Sequence, residues 1–353
     1  MVYRPGLSGG VRVTAQYAEA LTARGHEVRI VGTRHPRPTV REHVRNLLKG
    51  GGVAKARPVS AFLANGSAAL HLASDEDDVT SDFFPDADVT IATFWKTAHW
   101  VNALPAQKGR KVYFIQHHEI HPWYDHDDVA ATYRMPLKKI VISDWLRDIM
   151  AREYGDADVP IIHNGIDTER FNAPPREKNS RPTAGVMISN NTWKGTEDAL
   201  AAFLMLKERL PETELIFFGS MPPSADAAAM GARIYTTPPE ADIPKIYAAC
   251  DVWLSASHVE GFGLPAFEAM ACRTPVVSTT AGASPDFIRD GENGFLVAPK
   301  DVNAMVDRLR RVLTMEPAAW RVMSEAARAT TLDMQWDRAV DAFEAELYRV
   351  VET

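Results

Sequence analysis

Two glutamates separated by seven residues in the stretch EGFGLPAFE (260–268) have types and spacing that could do chemistry. Gly261 and Gly263 follow the first glutamate and would let backbone amides approach a ligand, and the start of a helix directly after them would favour an anion. The stretch therefore predicts a phosphate site. Because a carboxylate repels a phosphate, Glu260 and Glu268 are expected to accept hydrogen bonds from hydroxyls, such as those of a ribose and a sugar.

The same residues fit two other interpretations. A tight turn between a strand and a helix, with both glutamates in solvent, is the structural alternative. Gly261, Gly263 and Ala266 also satisfy the relaxed G-x-G-x-x-A pattern of dinucleotide sites. The next strand ends in Thr279 and Thr280 rather than in the acid that would bind a nicotinamide ribose, which argues against a dehydrogenase.

Short apolar runs alternate with stretches of helical spacing along the chain, which is typical of parallel strands covered by crossover helices. The clearest helix runs from Val11 to Arg24 and ends at Gly25. The strands predicted for the first half are 26–32, 88–94, 111–116, 138–143 and 159–163. Those predicted for the second half are 184–189, 214–219, 232–236, 251–257 and 274–279, with helices near 197–209, 241–249, 264–272 and 301–313.

These elements predict an α/β protein of two doubly wound domains with a cleft between them. Residues 1–165 are expected to form the first domain and residues 166–335 the second. The Pro- and Asn-rich segment 171–185 is expected at or near their connection. Residues 336–353 read as an amphipathic helix, which either closes the second domain or packs back on the first.

Composition excludes several classes of protein. With 46% hydrophobic and 24% charged residues over 353 positions, the chain is neither disordered nor a small disulfide scaffold. Its two cysteines, Cys250 and Cys272, favour a reducing compartment, so we expect a cytoplasmic protein. No apolar run approaches the roughly 20 residues of a membrane helix. The net charge of −7 argues against a general nucleic-acid binder, so no nucleic acid is expected as a partner.

Five stretches, in this order along nearly the whole chain, resemble the retaining glycosyltransferases of family 4, which have the GT-B fold of two Rossmann-like domains. They are SGGVRVTAQYAEALTARGHEV (8–28), HNGID (163–167), WKGTEDAL (193–200), EGFGLPAFE (260–268) and the following AMACRTPVVST. The resemblance implies transfer of a sugar from a nucleotide-diphosphate sugar to the hydroxyl of a glycan, a glycolipid or a small molecule. It implies no cofactor and no metal, because such enzymes neutralise the diphosphate with cations and helix dipoles.

The resemblance also assigns roles to residues of the second domain. Glu260 corresponds to the glutamate that binds sugar hydroxyls, and Glu268 to the one that binds ribose hydroxyls. The backbone amides of Gly261, Phe262 and Gly263 would contact the donor sugar or the diphosphate.

Lys194 corresponds to the family lysine on the diphosphate, where its charge would stabilise the leaving group. A solvated surface lysine is the alternative. The family arginine five or six residues earlier is missing, because Ile188 and Ser189 stand there. Either another cation replaces it or the donor is bound differently and more weakly. Gly9 and Gly10 occupy the glycine loop whose amides would meet the donor phosphate or the acceptor, and a plain helix-start turn is the alternative.

The stretch QHHEIHPWYDHDD (116–128) follows a predicted strand, where an α/β fold presents a ligand-facing loop. The family has a histidine near the reacting sugar here, which corresponds to His118 or, one position earlier, to His117. A metal site that includes Glu119 and unassigned surface histidines are the alternatives.

The N-terminal region holds two further features. The family begins with a long apolar strand, of which only residues 1–3 stand here, so the true start is expected to lie upstream. The basic segment 34–57 contains an amphipathic piece from Val40 to Leu48. Such a helix can rest on an anionic membrane surface, which would place the protein peripherally at the inner membrane face. A solvated crossover helix and a site for an acceptor phosphate are the alternatives.

The mechanism that the resemblance implies is front-face substitution with retention, in which the departing diphosphate oxygen helps to remove the acceptor proton. Within the same fold, an epimerase or a phosphorylase is the alternative. From other classes, the alternatives are a non-catalytic nucleotide-sugar sensor and a nicotinamide oxidoreductase. The sequence does not predict the nucleotide base, the donor sugar or the acceptor. It does not predict the oligomeric state either.

Overall fold

The computed structural model describes residues 1–6, 8–36, 38–48, 59–220 and 224–352. The chain divides into two compact units. Unit 1 comprises Met1–Val141, Arg147–Ile162 and Val340–Thr353, and unit 2 comprises Ile142–Leu146 and His163–Ala339.

Unit 1 is an α/β unit whose paired strands are parallel. Its strands are β1 (Arg29–Thr33), β2 (Ala69–Ala73), β3 (Val89–Ala92), β4 (Arg110–Ile115) and β5 (Lys138–Val141). They form a two-stranded sheet, β1-β2, and a three-stranded sheet, β3-β4-β5. The helices are α1 (Gly9–Ala23), α2 (Val40–Leu48), α3 (Ala61–Ala64), α4 (Trp95–Ala103), α5 (His126–Tyr133) and α6 (Asp144–Tyr154), whose first turn belongs to unit 2.

Residues 1–3 lie between β1 and β3. Val2 forms one parallel bridge with Gly32, and the Met1 ammonium donates to the carbonyl of Ile91 at 2.5 Å. A cavity of about 490 Å³ is lined by side chains of both strands, such as Ile30 and Val89. The upstream start stays a prediction.

Unit 2 contains one fully parallel, doubly wound sheet. Its strands are β6 (Thr183–Met187), β7 (Glu214–Gly219), β8 (Arg233–Thr236), β9 (Val252–Ser255), β10 (Val276–Thr279) and β11 (Gly294–Val297). They lie in the order β8-β7-β6-β9-β10-β11, so the direction of winding reverses between the neighbours β6 and β9. In such sheets the ligand crevice lies beyond the carboxyl ends of the strands at this reversal.

Helices cover this sheet. They are α7 (Thr196–Arg209), α8 (Ala225–Ala229), α9 (Ile243–Ala248), α10 (Leu264–Ala271), α11 (Ser284–Phe287), α12 (Val302–Leu313) and α13 (Pro317–Leu332). Phe203 of α7 stacks on Phe217 of β7 with a ring separation of 5.7 Å, and both are completely buried. Because β6, β7 and β9 carry apolar runs with no polar alternation, they have to be buried on two faces, as the sequence indicates.

One predicted strand is wrong. Residues 159–163 form a single bridge, between Ile161 and Val141, instead of a strand. Pro160 has no N–H to donate, so the pairing ends after Val141 donates to its carbonyl at 3.0 Å and Ile162 donates to Val141 at 2.8 Å. The sequence analysis gave no individual prediction for several elements. Among the strands these are β2 and β11, and among the helices they are α3, α4, α5, α6, α8, α11 and α13.

The predicted connection 171–185 lies inside unit 2. Asn179 donates its backbone N–H to Asp251 at 2.9 Å and its side-chain amide to Ala249 at 3.0 Å. These bonds hold the Pro-rich segment against the residues just before β9. Its proline-rich composition is therefore that of a segment with a fixed backbone rather than that of a linker between the units.

The last helix, α14 (Trp336–Glu352), begins in unit 2, and its residues from Val340 onward belong to unit 1. In unit 1, Phe343 packs against Tyr17 of α1 and Phe114 of β4, with ring separations of 4.4 and 5.1 Å. Within the described ranges, no helix is long and apolar enough to cross a membrane.

Candidate active site

Lys194 and Glu260 lie on the two loops that leave the sheet of unit 2 at its reversal point. Lys194 is in the loop from β6 to α7, and Glu260 is in the loop from β9 to α10. The Lys194 ammonium lies 2.5 Å from Glu260 Oε1, and the same oxygen accepts from Ser257 Oγ at 2.9 Å. The structure therefore brings these two predicted residues together and adds Ser257, which the sequence analysis missed although it stands only three residues before Glu260.

Close backbone approach fixes the shape of these loops. Gly195 has a φ of +64°, and a Cβ built on it would lie 1.9 Å from the carbonyl oxygen of Ala256. Gly282 also has a φ of +64°, and its Cβ would lie 2.7 Å from Glu260 Cβ. Only glycine satisfies both the left-handed conformation and the contact, so Lys194 and Glu260 are held by backbone as well as by their ion pair.

The predicted amides of 261–263 lead into α10. Phe262 is buried, and its ring packs against Phe267 and Phe287 at 5.5 Å each, which anchors the loop. Gly263 has a φ of +95° and precedes the first residue of α10, so this loop ends at a helix N-terminus as predicted.

Glu268 lies within α10 and is 4% exposed. Its Oε2 accepts a hydrogen bond from the hydroxyl of Tyr247, which is completely buried, at 2.9 Å. The Tyr247 hydroxyl orients the carboxylate, and no motif in the sequence links this α9 residue to Glu268.

A cavity of about 480 Å³ lies beyond the carboxyl end of β8. Tyr235, Thr236, Thr237 and Asp242 are among the residues that line it. Thr237 has a φ of +47°, and its backbone N–H donates to Gly219 at the end of β7 at 2.7 Å.

In unit 1, Gly9 and Gly10 are the first two residues of α1. Ser8 caps this helix by accepting the N–H of Val11 at 3.3 Å. A Cβ on Gly10 would lie 3.4 Å from Gln116 Oε1, so the glycine end of α1 meets the end of β4, where the histidine loop begins.

Both candidate histidines have a ring nitrogen within hydrogen-bond distance of a neighbour. His118 Nε2 lies 2.7 Å from the hydroxyl of Tyr154, and desolvation lowers the pKa of His118. His117 Nδ1 lies 2.9 Å from the carbonyl oxygen of His118, to which it donates. The ring of His121 is tilted against that of His117, with a ring separation of 5.1 Å.

Glu119 holds this loop on α4. Its Oε2 accepts the backbone N–H of Trp95, the first residue of α4, at 2.8 Å, and its own N–H donates to the Tyr133 hydroxyl at 2.8 Å. Burial raises the pKa of Glu119 to about 8, because the carboxylate loses its hydration.

Among the described residues, a group that could hold a metal ion is formed by Asp144, His163 and Asp286, whose ligand atoms lie within 4.8 Å of one another. All three belong to unit 2. Asp286 Oδ2 accepts from the Asp144 N–H at 3.0 Å and lies 3.1 Å from His163 Nε2. The cluster of His117, His118, His121 and Glu119 that the sequence suggested as a metal site has no such arrangement in the described part of the chain.

Ser189, at the position of the expected arginine, has a structural role. Its backbone N–H donates to Thr196 Oγ1 at 2.9 Å, and its carbonyl accepts from the same hydroxyl at 2.8 Å. Ser189 thus closes the turn between β6 and α7.

The doubly wound parallel sheet of unit 2, together with a second parallel α/β unit, matches the class of proteins with the GT-B fold of two Rossmann-like domains. The chain belongs to the glycosyltransferases of this class. The family model described as Glycosyltransferase Family 4 matches residues 7–170, and the model described as Glycosyl transferases group 1 matches residues 167–330.

Relatives and solved structures agree with this assignment. The chain is 29% identical over 229 residues to a D-inositol 3-phosphate glycosyltransferase of Mycobacterium avium, a match that covers 59% of this chain and 53% of that protein. The chain thus spans about half the length of the curated relatives it matches. Sucrose-phosphate synthase from Thermosynechococcus elongatus has a TM-score of 0.71 at 20% identity, covering 97% of this chain and 93% of that one. Anabaena Alr3699/HepE, solved in complex with UDP-glucose, has a TM-score of 0.75 at 16% identity, covering 98% of each chain.

Proposed function

We propose that this protein is a retaining glycosyltransferase that moves a sugar from a nucleoside diphosphate sugar to an acceptor hydroxyl. The observation that carries the proposal is the pairing of Lys194 with Glu260 at the reversal point of the sheet, beside the N-terminus of α10. A cation and backbone amides there suit a diphosphate, and the two carboxylates suit hydroxyls.

Each residue of unit 2 has a distinct role in this proposal. The Lys194 ammonium moves from Glu260 to the diphosphate and neutralises the charge that develops as the glycosidic bond breaks. Glu260 then accepts hydrogen bonds from the sugar, and Glu268, oriented by Tyr247, accepts them from the ribose. The departing diphosphate oxygen takes the acceptor proton on the same face, so the anomeric configuration is retained and no general base is required.

The cavity beyond β8 is the proposed place of the nucleobase. It is lined by Ile246, the neighbour on α9 of the Tyr247 that contacts Glu268, and is large enough for a small heterocycle. A solved structure of this fold holds UDP-glucose. UDP-sugars are therefore the first donors to test, and UDP is the first nucleotide to test for binding.

In unit 1, we place His118 at the reacting sugar, with His117 as the alternative, and we assign the amides of Gly9 and Gly10 to the donor phosphate or the acceptor. Both histidines directly follow β4, where a parallel α/β sheet presents its ligand-facing loop. Separate His117→Ala and His118→Ala variants decide between them, because only loss of the substrate contact lowers turnover at saturating donor while leaving UDP affinity in unit 2 unchanged.

We propose that a divalent metal is not needed for transfer. Lys194 and the start of α10 supply positive charge at the diphosphate, and Asp286 is already engaged by Asp144 and His163. Transfer that persists in excess EDTA supports this, and loss of transfer that Mg²⁺ or Mn²⁺ restores contradicts it.

The test of function is a panel of nucleoside diphosphates and their sugars, screened by thermal shift and then by transfer. Binding to the native state raises the melting temperature by mass action. Acceptors should include simple sugars and inositol phosphates, since the curated relatives are named for the latter. We expect one donor to be consumed only when an acceptor is present, with product NMR showing the anomeric configuration of the donor.

Glu268→Ala should abolish most of the shift from the preferred nucleotide, because the ribose loses its acceptor. Glu292→Ala, which removes an exposed glutamate of the same unit, is the control. Consumption of the donor without an acceptor would indicate an epimerase, and transfer to inorganic phosphate a phosphorylase. Tight nucleotide binding without turnover over the whole acceptor panel would indicate a sensor.

We also propose that α2 rests on an anionic membrane surface. Its apolar residues are exposed, with Val40 at 79%, Leu47 at 57% and Leu48 at 84%, and Arg41 and Arg45 flank them. Exposed apolar and basic side chains on one helix fit a bilayer surface with negative headgroups. Residues 37 and 49–57 of the predicted basic segment lie outside the described residues.

A further inference from the structure

The loops that carry Lys194 and Glu260 are joined by a side-chain pair that no part of the proposed chemistry uses. His258 Nε2 lies 2.6 Å from Asp198 Oδ2. Asp198 is in the first turn of α7, four residues after Lys194, and His258 stands two residues before Glu260. Both side chains are about three-quarters buried, with exposures of 25% and 24%. Solvent and salt screen a pair with this degree of burial less than they screen an exposed surface pair.

The backbone joins the same two loops on each side of Lys194. The N–H of His258 donates to the carbonyl of Trp193 at 2.7 Å. Gly195 approaches the carbonyl of Ala256 so closely that a Cβ would lie 1.9 Å from it. The residues directly before and after Lys194 are therefore both fixed to the segment that leads to Glu260, and the Asp198–His258 pair adds a side-chain bond to this clamp.

We propose that Asp198 and His258 are positioning residues that keep the Lys194 backbone in place when its ammonium moves from Glu260 to the donor diphosphate. The inference rests on the proposed function of Lys194. While Lys194 is bound to Glu260, their ion pair itself connects the two loops. Once a diphosphate takes the ammonium, that connection is lost, whereas the Asp198–His258 side-chain bond remains.

The physical gain is preorganisation. A lysine side chain has several rotatable bonds, so its contribution to binding depends on a fixed starting point for its backbone. If the loop loses its fixed position when the diphosphate binds, part of the binding free energy from the diphosphate contact is lost. Removing the clamp should therefore weaken nucleotide binding without removing any group that touches the nucleotide.

The test compares UDP affinity, measured by calorimetry, for the wild type, Asp198→Ala, His258→Ala, Lys194→Ala and the double variant Lys194→Ala/Asp198→Ala. We expect Asp198→Ala and His258→Ala each to weaken UDP binding about fivefold to tenfold, within the range of couplings between neighbouring residues. In the Lys194→Ala background, Asp198→Ala should weaken binding less than about twofold further.

A matched control exists in unit 1. His26 Nε2 lies 2.6 Å from Glu344 Oε1, the same kind of pair at the same distance. Glu344→Ala should leave UDP affinity unchanged. If Asp198→Ala does not fold, His258→Ala is the variant to measure, and Asp198→Glu should keep most of the affinity because it keeps the carboxylate.

The outcomes separate this inference from the proposed function. If the wild type binds no nucleoside diphosphate, the function fails and the inference falls with it. If the wild type and Lys194→Ala differ but both clamp variants bind UDP like the wild type, the inference alone is overturned. If Asp198→Ala weakens binding by the same factor with and without Lys194, its effect does not act through Lys194, and the positioning role is overturned.

Discussion

Lys194 is held by Glu260 at 2.5 Å, so a diphosphate that approaches the ammonium has to compete with a carboxylate. In the proposed function Ser257 Oγ continues to donate to Glu260 and sugar hydroxyls replace the ammonium, so Glu260 keeps its hydrogen-bond donors. The ion pair balances the charges of the partly buried Lys194 and Glu260 as long as no donor is bound. A single sequence shows Lys194 only as a lysine before a glycine, and its contact with Glu260 depends on the neighbouring positions of β6 and β9.

Glu119 gives a prediction about the pH dependence of stability. Burial raises its pKa from the usual value near 4.5 to about 8. Between these two pKa values the Glu119 carboxyl is protonated in the folded state and ionised in the unfolded state. The contribution of Glu119 to the free energy of unfolding therefore falls as pH rises, by at most about 1.4 kcal/mol per pH unit. Below pH 4.5 its effect disappears, since both states are protonated.

Glu119→Gln should remove this dependence, because the amide oxygen still accepts the Trp95 N–H and carries no charge. Urea unfolding at pH 5.5 and at pH 8 measures it: the variant should gain stability over the wild type at pH 8 and differ less at pH 5.5. An equal difference at the two pH values would show that Glu119 is ionised in the folded protein throughout.

At the scale of elements, the loops after β6 and β9 are shaped by glycines at which a side chain would meet backbone. Gly195→Ala should displace the Lys194 loop, because its Cβ would lie 1.9 Å from the Ala256 carbonyl oxygen. Gly231→Ala is the matched control, since Gly231 has a φ of +68° against +64° for Gly195 but has nothing within 4 Å of its Cβ.

Both alanines cost about 1 kcal/mol for the left-handed backbone. Only Gly195→Ala should lose a further 1–3 kcal/mol, roughly the cost of overpacking, and show weaker nucleotide binding. Equal losses of stability in chemical unfolding, with equal nucleotide affinity, would mean that the close approach of the two loops does not contribute.

The exposed helix α2 gives a prediction about membranes. Leu47→Glu should reduce binding to vesicles of phosphatidylglycerol and phosphatidylcholine by about tenfold or more. The substitution removes an exposed leucine that would enter the bilayer, and the new carboxylate is repelled by the anionic headgroups. Leu204→Glu, at a leucine of α7 that is 54% exposed, is the control and should bind like the wild type. Co-sedimentation measures both. No binding by the wild type, or binding that Leu47→Glu leaves unchanged, would contradict a membrane role for α2.

Much of the element pattern could be predicted from sequence, because buried parallel strands such as β4 and β7 are continuous apolar runs. Residues 159–163 have the same composition, and Pro160 decides against a strand there through a missing N–H. In the site, Glu260 and Glu268 stand out through their spacing. Tyr247, which orients Glu268, lies on another helix and has no local signal, so only the folded sheet reveals it.

At the scale of the whole molecule, the two units have similar α/β architecture, and their predicted site residues differ in kind. Unit 2 holds the charged residues at the reversal point of a complete six-stranded sheet. Unit 1 holds the histidines and the glycine end of α1. The helix α14 begins in unit 2 and continues into unit 1, where Phe343 is buried against Tyr17 and Phe114. This division of chemistry between the units is what the proposed transfer from donor to acceptor requires.

In the proposed function, a nucleoside diphosphate sugar binds beyond the carboxyl ends of β6 and β9. A crystal structure of the protein with the nucleotide sugar that the thermal-shift panel selects tests it directly. We predict the diphosphate within hydrogen-bond distance of Lys194 Nζ and of the amides of 261–263, with the ribose on Glu268 and the Lys194–Glu260 contact broken or shared. A bound nucleotide sugar located elsewhere, with the Lys194–Glu260 contact intact, would contradict the account.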